Sequence, residues 1–181
     1  MNAIALKKIV VAALLVACTG TPALAQRMGS ANRNAPQVTQ GITLGAAKLD
    51  LNYTSITWAS GQWAAQLAND ASKAAFRDNL NAAAAKAPLG ALTTTAAFTI
   101  GGQKVEAGTY KLAFTLDDKY QWQITLSNDA GSVVIPLPLK TVEEDSRRLV
   151  TSLRAGEQDF TAEIVVAFGK SRCALPVSAA K

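Results

Sequence analysis

The residues best suited to proton-transfer chemistry are three consecutive acids, Glu143, Glu144 and Asp145. Hydrolysis of a glycosidic bond needs two carboxyl groups about 5–10 Å apart across the sugar. Consecutive acids point in different directions and stay solvated, so this run reads as a charged loop, continued by Ser146, Arg147 and Arg148. A second acidic set is Asp117, Asp118, Asn128 and Asp129. Its two halves fall at opposite ends of one strand pair and do not converge on a calcium ion; turn formation accounts for them. A third set is aromatic. Trp58, Trp63, Tyr53, Tyr120 and Trp122 could line a sugar-binding platform. Alternation places Tyr53, Tyr120 and Trp122 in the core instead.

The chain has no histidine, which removes Ser-His-Asp and Cys-His nucleophile systems and the usual histidine-based zinc sites. It has two cysteines, Cys18 and Cys173. Cys173 falls at an inward strand position and reads as a small buried apolar residue. Gly101-Gly102 lacks a following helix and a Gly-Lys-Ser/Thr ending, so it is not a phosphate loop. No catalytic residue, cofactor or metal ligand is assigned.

The elements that hold these residues follow a two-residue rhythm. Leu49, Leu51 and Tyr53 form one inward set, preceded by a short strand with Val38, Ile42 and Leu44. Phe98 and Ile100 lead into Gly101-Gly102, a tight hairpin turn. Inward sets then recur at Leu112, Phe114 and Leu116; at Tyr120, Trp122, Ile124 and Leu126; and at Val133, Ile135, Leu137 and Leu139. Pro136 and Pro138 make that last strand an edge. Leu149 to Leu153 is a short strand. Phe160, Ala162, Ile164, Val166 and Phe168 follow, Gly169-Lys170 starts a turn, and Cys173, Leu175 and Val177 close the domain. The expected fold is mostly β, an antiparallel β-sandwich with one Ala-rich helical segment at about residues 62–87. Ser60 could cap that helix and Pro88 would help end it. Its untidy apolar stripe means burial on two sides or a break near Asn69-Asp70.

At 181 residues the chain accommodates one domain with a tail, expected at 41–181. Residues 1–25 read as a secretory leader. Lys7 and Lys8 lie before a nine-residue apolar run, Ile9 to Ala17, and Ala23-Leu24-Ala25 offers a cleavage site before Gln26. Leu15-Val16-Ala17-Cys18 also fits a bacterial lipobox, in which Cys18 becomes lipidated. Both readings stand, periplasmic or secreted on one and lipid-anchored on the other. Residues 26–40 read as a flexible tether. Losing the leader lowers the formal charge from +5 to +3, with basic residues scattered rather than clustered, which argues against nucleic acid as a partner.

Three stretches, GITLGAAKLDLNYTS, FTIGGQKVEAGTYKLAFTLDDKYQWQITLSND and AFGKSRCALPV, carry a set of short motifs in order. These are Tyr53-Thr54, Gly101-Gly102, Ala107-Gly108-Thr109-Tyr110, Trp122 and Phe168-Gly169-Lys170-Ser171-Arg172. In that order the chain resembles the exported bacterial family catalogued as domain of unknown function 2911. The resemblance implies a β-sandwich-like fold and an envelope location, and no activity. Where many members have a Trp-Arg-Thr-Gly-Ala-Asn-type loop, this chain reads Leu89-Gly90-Ala91-Leu92-Thr93. The expected function is a non-catalytic extracytoplasmic protein binding an envelope partner or small ligand through its loops. The alternatives are a carbohydrate-binding module and an extracytoplasmic carboxylate-dependent hydrolase. The membrane enters only through a lipid anchor at Cys18.

Overall fold

A computed structural model describes residues 35–57 and 65–179. The leader residues Cys18, Ala23, Ala25 and Gln26, the proposed cap Ser60, and Trp58 and Trp63 lie outside them. The alternating segments form two antiparallel sheets. The six-stranded sheet runs β1 (Gln37–Leu44), β2 (Ala47–Thr54), β3 (Gly90–Thr94), β6 (Gly108–Leu116), β7 (Trp122–Asn128) and β8 (Gly131–Pro136). The smaller sheet runs β5 (Gln103–Val105), β4 (Phe98–Ile100), β10 (Thr161–Ala179) and β9 (Lys140–Ala155). Their facing sides bury Leu49, Leu51, Phe98, Ile100, Leu126 and Val166, and the chain is a β-sandwich as the alternation requires. Strand β1 starts at Gln37, so the end of the 26–40 stretch is strand, not tether.

Several turns follow directly from their residue types. Gly101 and Gly102 both have positive φ and close the β4–β5 hairpin between Ile100 and Gln103. Asp117 Oδ1 accepts from the Lys119 and Gln121 amides at 2.8 and 2.7 Å. Strand β8, with Pro136 at its end, pairs only with β7 and is an edge.

Strand β10 is extended throughout its 19 residues, which would span about 60 Å if straight. Yet the Ala179 amide donates to the Phe160 carbonyl at 3.3 Å, so the strand must double back on itself. The midpoint falls at Gly169-Lys170, and Gly169 has φ +53. The turn expected there is thus a reversal inside one run of ladder-paired residues. Strand β9 follows it round the outside. Its register with β10 slips between Ala167 and Gly169 and again between Gly169 and Ser171, always by extra residues on β9. This corrects the expected loop at 143–148. Glu143, Glu144, Asp145, Ser146, Arg147 and Arg148 belong to β9, and the strand is not confined to 149–153. An outer path needs more residues than an inner one, and bulges on an exposed edge accept charges.

The Ala-rich segment is broken where its polar residues compete with the helix. Residues 65–68 are helical, and a turn follows in which Asn69 Oδ1 accepts from the Ala71 amide at 3.0 Å. Helix α1 (Lys73–Lys86) then packs on β6 and buries only Leu80 fully. It fills the place where β3 has ended and β6 continues. Asn81 there acts as a short strand: Nδ2 donates to the Leu116 carbonyl at 2.8 Å, and Oδ1 accepts from the Leu116 amide at 2.9 Å.

The free edge of β9 is completed in the same way. Gln40 Nε2 donates to the Thr151 carbonyl at 3.1 Å, and its Oε1 accepts from the Leu153 amide at 2.8 Å. The Tyr53 hydroxyl accepts from the Thr151 amide at 2.9 Å, and Ser55 Oγ donates to the Leu149 carbonyl at 2.9 Å. The Leu149 amide donates to the Ile56 carbonyl at 2.9 Å. Side chains of the first two strands and the residues just after them therefore seal one corner between the sheets. One group in this seam is left over: Thr151 Oγ1 is buried without a partner. Gln40→Ala should lower stability by about 1–3 kcal/mol, because it strands backbone groups that the seam encloses. Thr151→Val should instead raise it by about 1 kcal/mol. Urea titrations of the two variants check both signs.

Candidate functional site

One end of the sandwich gathers three connections. The β1–β2 turn brings Gly45 and Ala46, the β3–β4 connection brings Thr95 and Ala96, and the β9–β10 turn brings Phe160. Together they enclose an open recess of about 580 Å³ with Leu44 and Ala179 in its wall. Its only hydroxyl, Thr95 Oγ1, already accepts from the Lys48 amide at 2.8 Å. The recess thus offers carbon surface rather than acid–base groups.

Phe160 dominates this recess and is held in an unfavourable state. Its φ is +60, a region that costs a bulky residue on the order of 1 kcal/mol or more. It is also 55% exposed, the most exposed large apolar side chain among the described residues. The ring lies so close over Gly45 that a Cβ there would meet Cε1 at 2.6 Å. The turn is pinned on both sides. The Gly156 amide donates to the Thr161 carbonyl at 3.0 Å, and the Thr161 amide to Gln158 at 3.2 Å. This corrects the placement of Phe160 in the core: the inward set begins at Ala162. No residue type signals the difference, because Phe is not a residue that favours left-handed backbone.

A second open recess, about 640 Å³, lies on the other side of the same turn. Its rim is polar, with Thr99, Glu157, Gln158, Glu163 and Ser178. Glu163 faces Arg154 across the β9–β10 ladder, an arrangement of opposite charges that stabilises strand pairs.

The other sequence candidates are dispersed. Glu143, Glu144 and Asp145 lie exposed along the outer bend of β9. Asp117 is spent on its turn, Asp118 pairs with Arg77 at 3.0 Å, and Asn128 Oδ1 accepts from Ala130 in the β7–β8 turn, where Asp129 is exposed. Tyr53 is buried, as expected, with its hydroxyl in the seam. Trp122 is half-buried and meets Phe168 edge-on at 5.6 Å. Tyr120 departs from the expected core position. The Asp117 turn runs through it with φ +61, and strand β7 begins only at Trp122. Its ring lies half-buried beneath Lys73 and Arg77, at 5.0 and 5.7 Å. Among the described residues no three of His, Cys, Asp and Glu gather as a metal site, and no helix is long and apolar enough to cross a membrane.

No family model, curated protein or solved structure matches the chain.

Cys173 is buried, as its strand position implies. Burial pushes its thiol pKa up, while the Val166 backbone N–H pulls the other way. A raised folded pKa stabilises the fold below the unfolded thiol's pKa, and that contribution is lost as pH rises through the folded value. Iodoacetamide at pH 8 should therefore alkylate Cys173 in the native protein on the order of 100-fold more slowly than in urea. Comparable rates in the two states would contradict its burial.

Proposed function

We propose that this chain is a non-catalytic, extracytoplasmic binding protein that presents the Phe160 recess to an apolar group on a cell-envelope partner or small ligand. The observation that carries this reading is Phe160 itself. An aromatic ring is kept both exposed and in a strained backbone state, and strain of that kind is retained where function needs it. The small side chains of Gly45, Ala46 and Ala96 leave room beside the ring. Loops at one end of a rigid sandwich are a common location for binding surfaces.

The leader supports the extracytoplasmic part of the reading, through Lys7, Lys8, the apolar run and either Ala23-Leu24-Ala25 or Cys18. The ordered short motifs support membership of the exported family named above. Their residues occupy successive structural positions: Gly101-Gly102 in the β4–β5 turn, Tyr110 in β6, Trp122 at the start of β7, and Gly169 at the β10 reversal.

Phe160→Asn tests the binding role, because Asn tolerates left-handed backbone and removes the ring. The variant should melt at the same temperature or higher, yet bind the apolar dye anilinonaphthalene sulfonate about tenfold or more weakly, the equivalent of one buried aromatic contact. Unchanged dye binding would remove the site from consideration. Intact mass of the protein from its native host tests the location. A chain starting at Gln26 or acylated at Cys18 is expected, and one starting at Met1 contradicts export.

A further inference from the structure

The β9–β10 ladder places opposite charges across from each other at one end and like charges at the other. Glu163 faces Arg154, whereas Lys140 faces Arg172. Register partners carry their side chains on one face with Cβ atoms about 5 Å apart, so the second pair repels. Cys173, the next residue, is buried, so Arg172 turns outward, where it is half-exposed. Lys170 stands exposed two residues earlier, at the reversal of the strand.

Among the described residues none of these three cations has an ion-pair partner. Four other cations are neutralised: Lys48 sits with Asp50, Lys73 with Asp70, Arg77 with Asp78 and Asp118, and Lys104 with Glu106. The nearest acids along β9, Glu143, Glu144 and Asp145, are exposed residues of the bulge between Thr141 and Ser146 and form no ion pair with either cation.

We propose that Lys140 and Arg172, assisted by Lys170, form a binding site for a phosphate-type oxyanion. An anion seated between the paired cations removes their repulsion, and Arg can contact two of its oxygens at once. The site lies at the reversal in the middle of β10, not at its two ends beside Phe160, and does not depend on the apolar recess. Two sources carry this chemistry, free phosphate and the phosphate of an anionic lipid.

Two assays separate them. Inorganic phosphate is titrated into the labelled full chain while the backbone amide signals of Lys140, Lys170 and Arg172 are followed. In parallel, the chain is floated with phosphatidylglycerol or phosphatidylcholine vesicles. Saturable shifts confined to these residues assign the site to free phosphate. Flotation with phosphatidylglycerol alone assigns it to lipid. In either case the Lys140→Gln/Arg172→Gln variant should bind at least tenfold more weakly, and in phosphate-free buffer it should melt no lower than the parent. The proposal is overturned if neither probe responds, if the double variant binds as well as the parent, or if exposed lysines throughout the chain shift equally.

Discussion

Every strand edge that ends against the protein rather than against water must have its amides and carbonyls bonded, and this requirement shapes the molecule. Two strands outrun their neighbours, β6 beyond the end of β3 and β9 along its outer side. In each place a side-chain carboxamide supplies what a peptide unit would have supplied. Asn81 does so for β6 and Gln40 for β9. Each presents a donor and an acceptor in one plane, which is the pattern a strand edge offers. The helix is needed because it delivers Asn81, and β1 because it delivers Gln40. Tyr53 and Ser55 extend the β9 seam, so a surface strand and a core strand are tied by the same few bonds.

The rigidity that results explains how unfavourable features survive at the ends. Phe160 keeps a left-handed backbone because the turn bonds from Gly156 to Thr161 and from Thr161 to Gln158 hold the chain around it. Tyr120 keeps one because the Asp117 carboxylate organises the turn around it. The consequences differ. Tyr120 is covered by two cations and stabilises the helix docking. Phe160 is left facing solvent, where its ring contributes nothing to the core.

Much of this architecture was legible from residue order. Alternation from Leu49 to Val177 identified the strands, the Gly101-Gly102 turn and the proline-marked edge. The broken helix was foreshadowed by Asn69-Asp70. Alternation reports only which face a residue occupies, and that limits it. It is blind to a strand that turns within its own sheet, as β10 does, and to a partner that bends round it, as β9 does. Glu143 to Arg148 looked like a loop because charges seldom enter a strand; on an outer bend they can. The Phe160 recess was the least legible part, because Phe160 has the parity of the inward set but still lies in the turn, one residue before β10 begins. Gln40 and Asn81 were equally silent, since a polar residue near an edge carries no mark of the distant carbonyl it meets.

The bonds that seal the seam join residues far apart along the chain, with Gln40 and Thr151 separated by 111 positions and Tyr53 and Thr151 by 98. Contacts of such high sequence separation form slowly, because a long loop must close before they repay its entropy. A ribosome releases β1 and β2 first, so both must wait, unsealed, until β9 has been made. That corner is consequently late to assemble, and the interval before it closes is when a newly made copy is most open to pairing with the wrong strand.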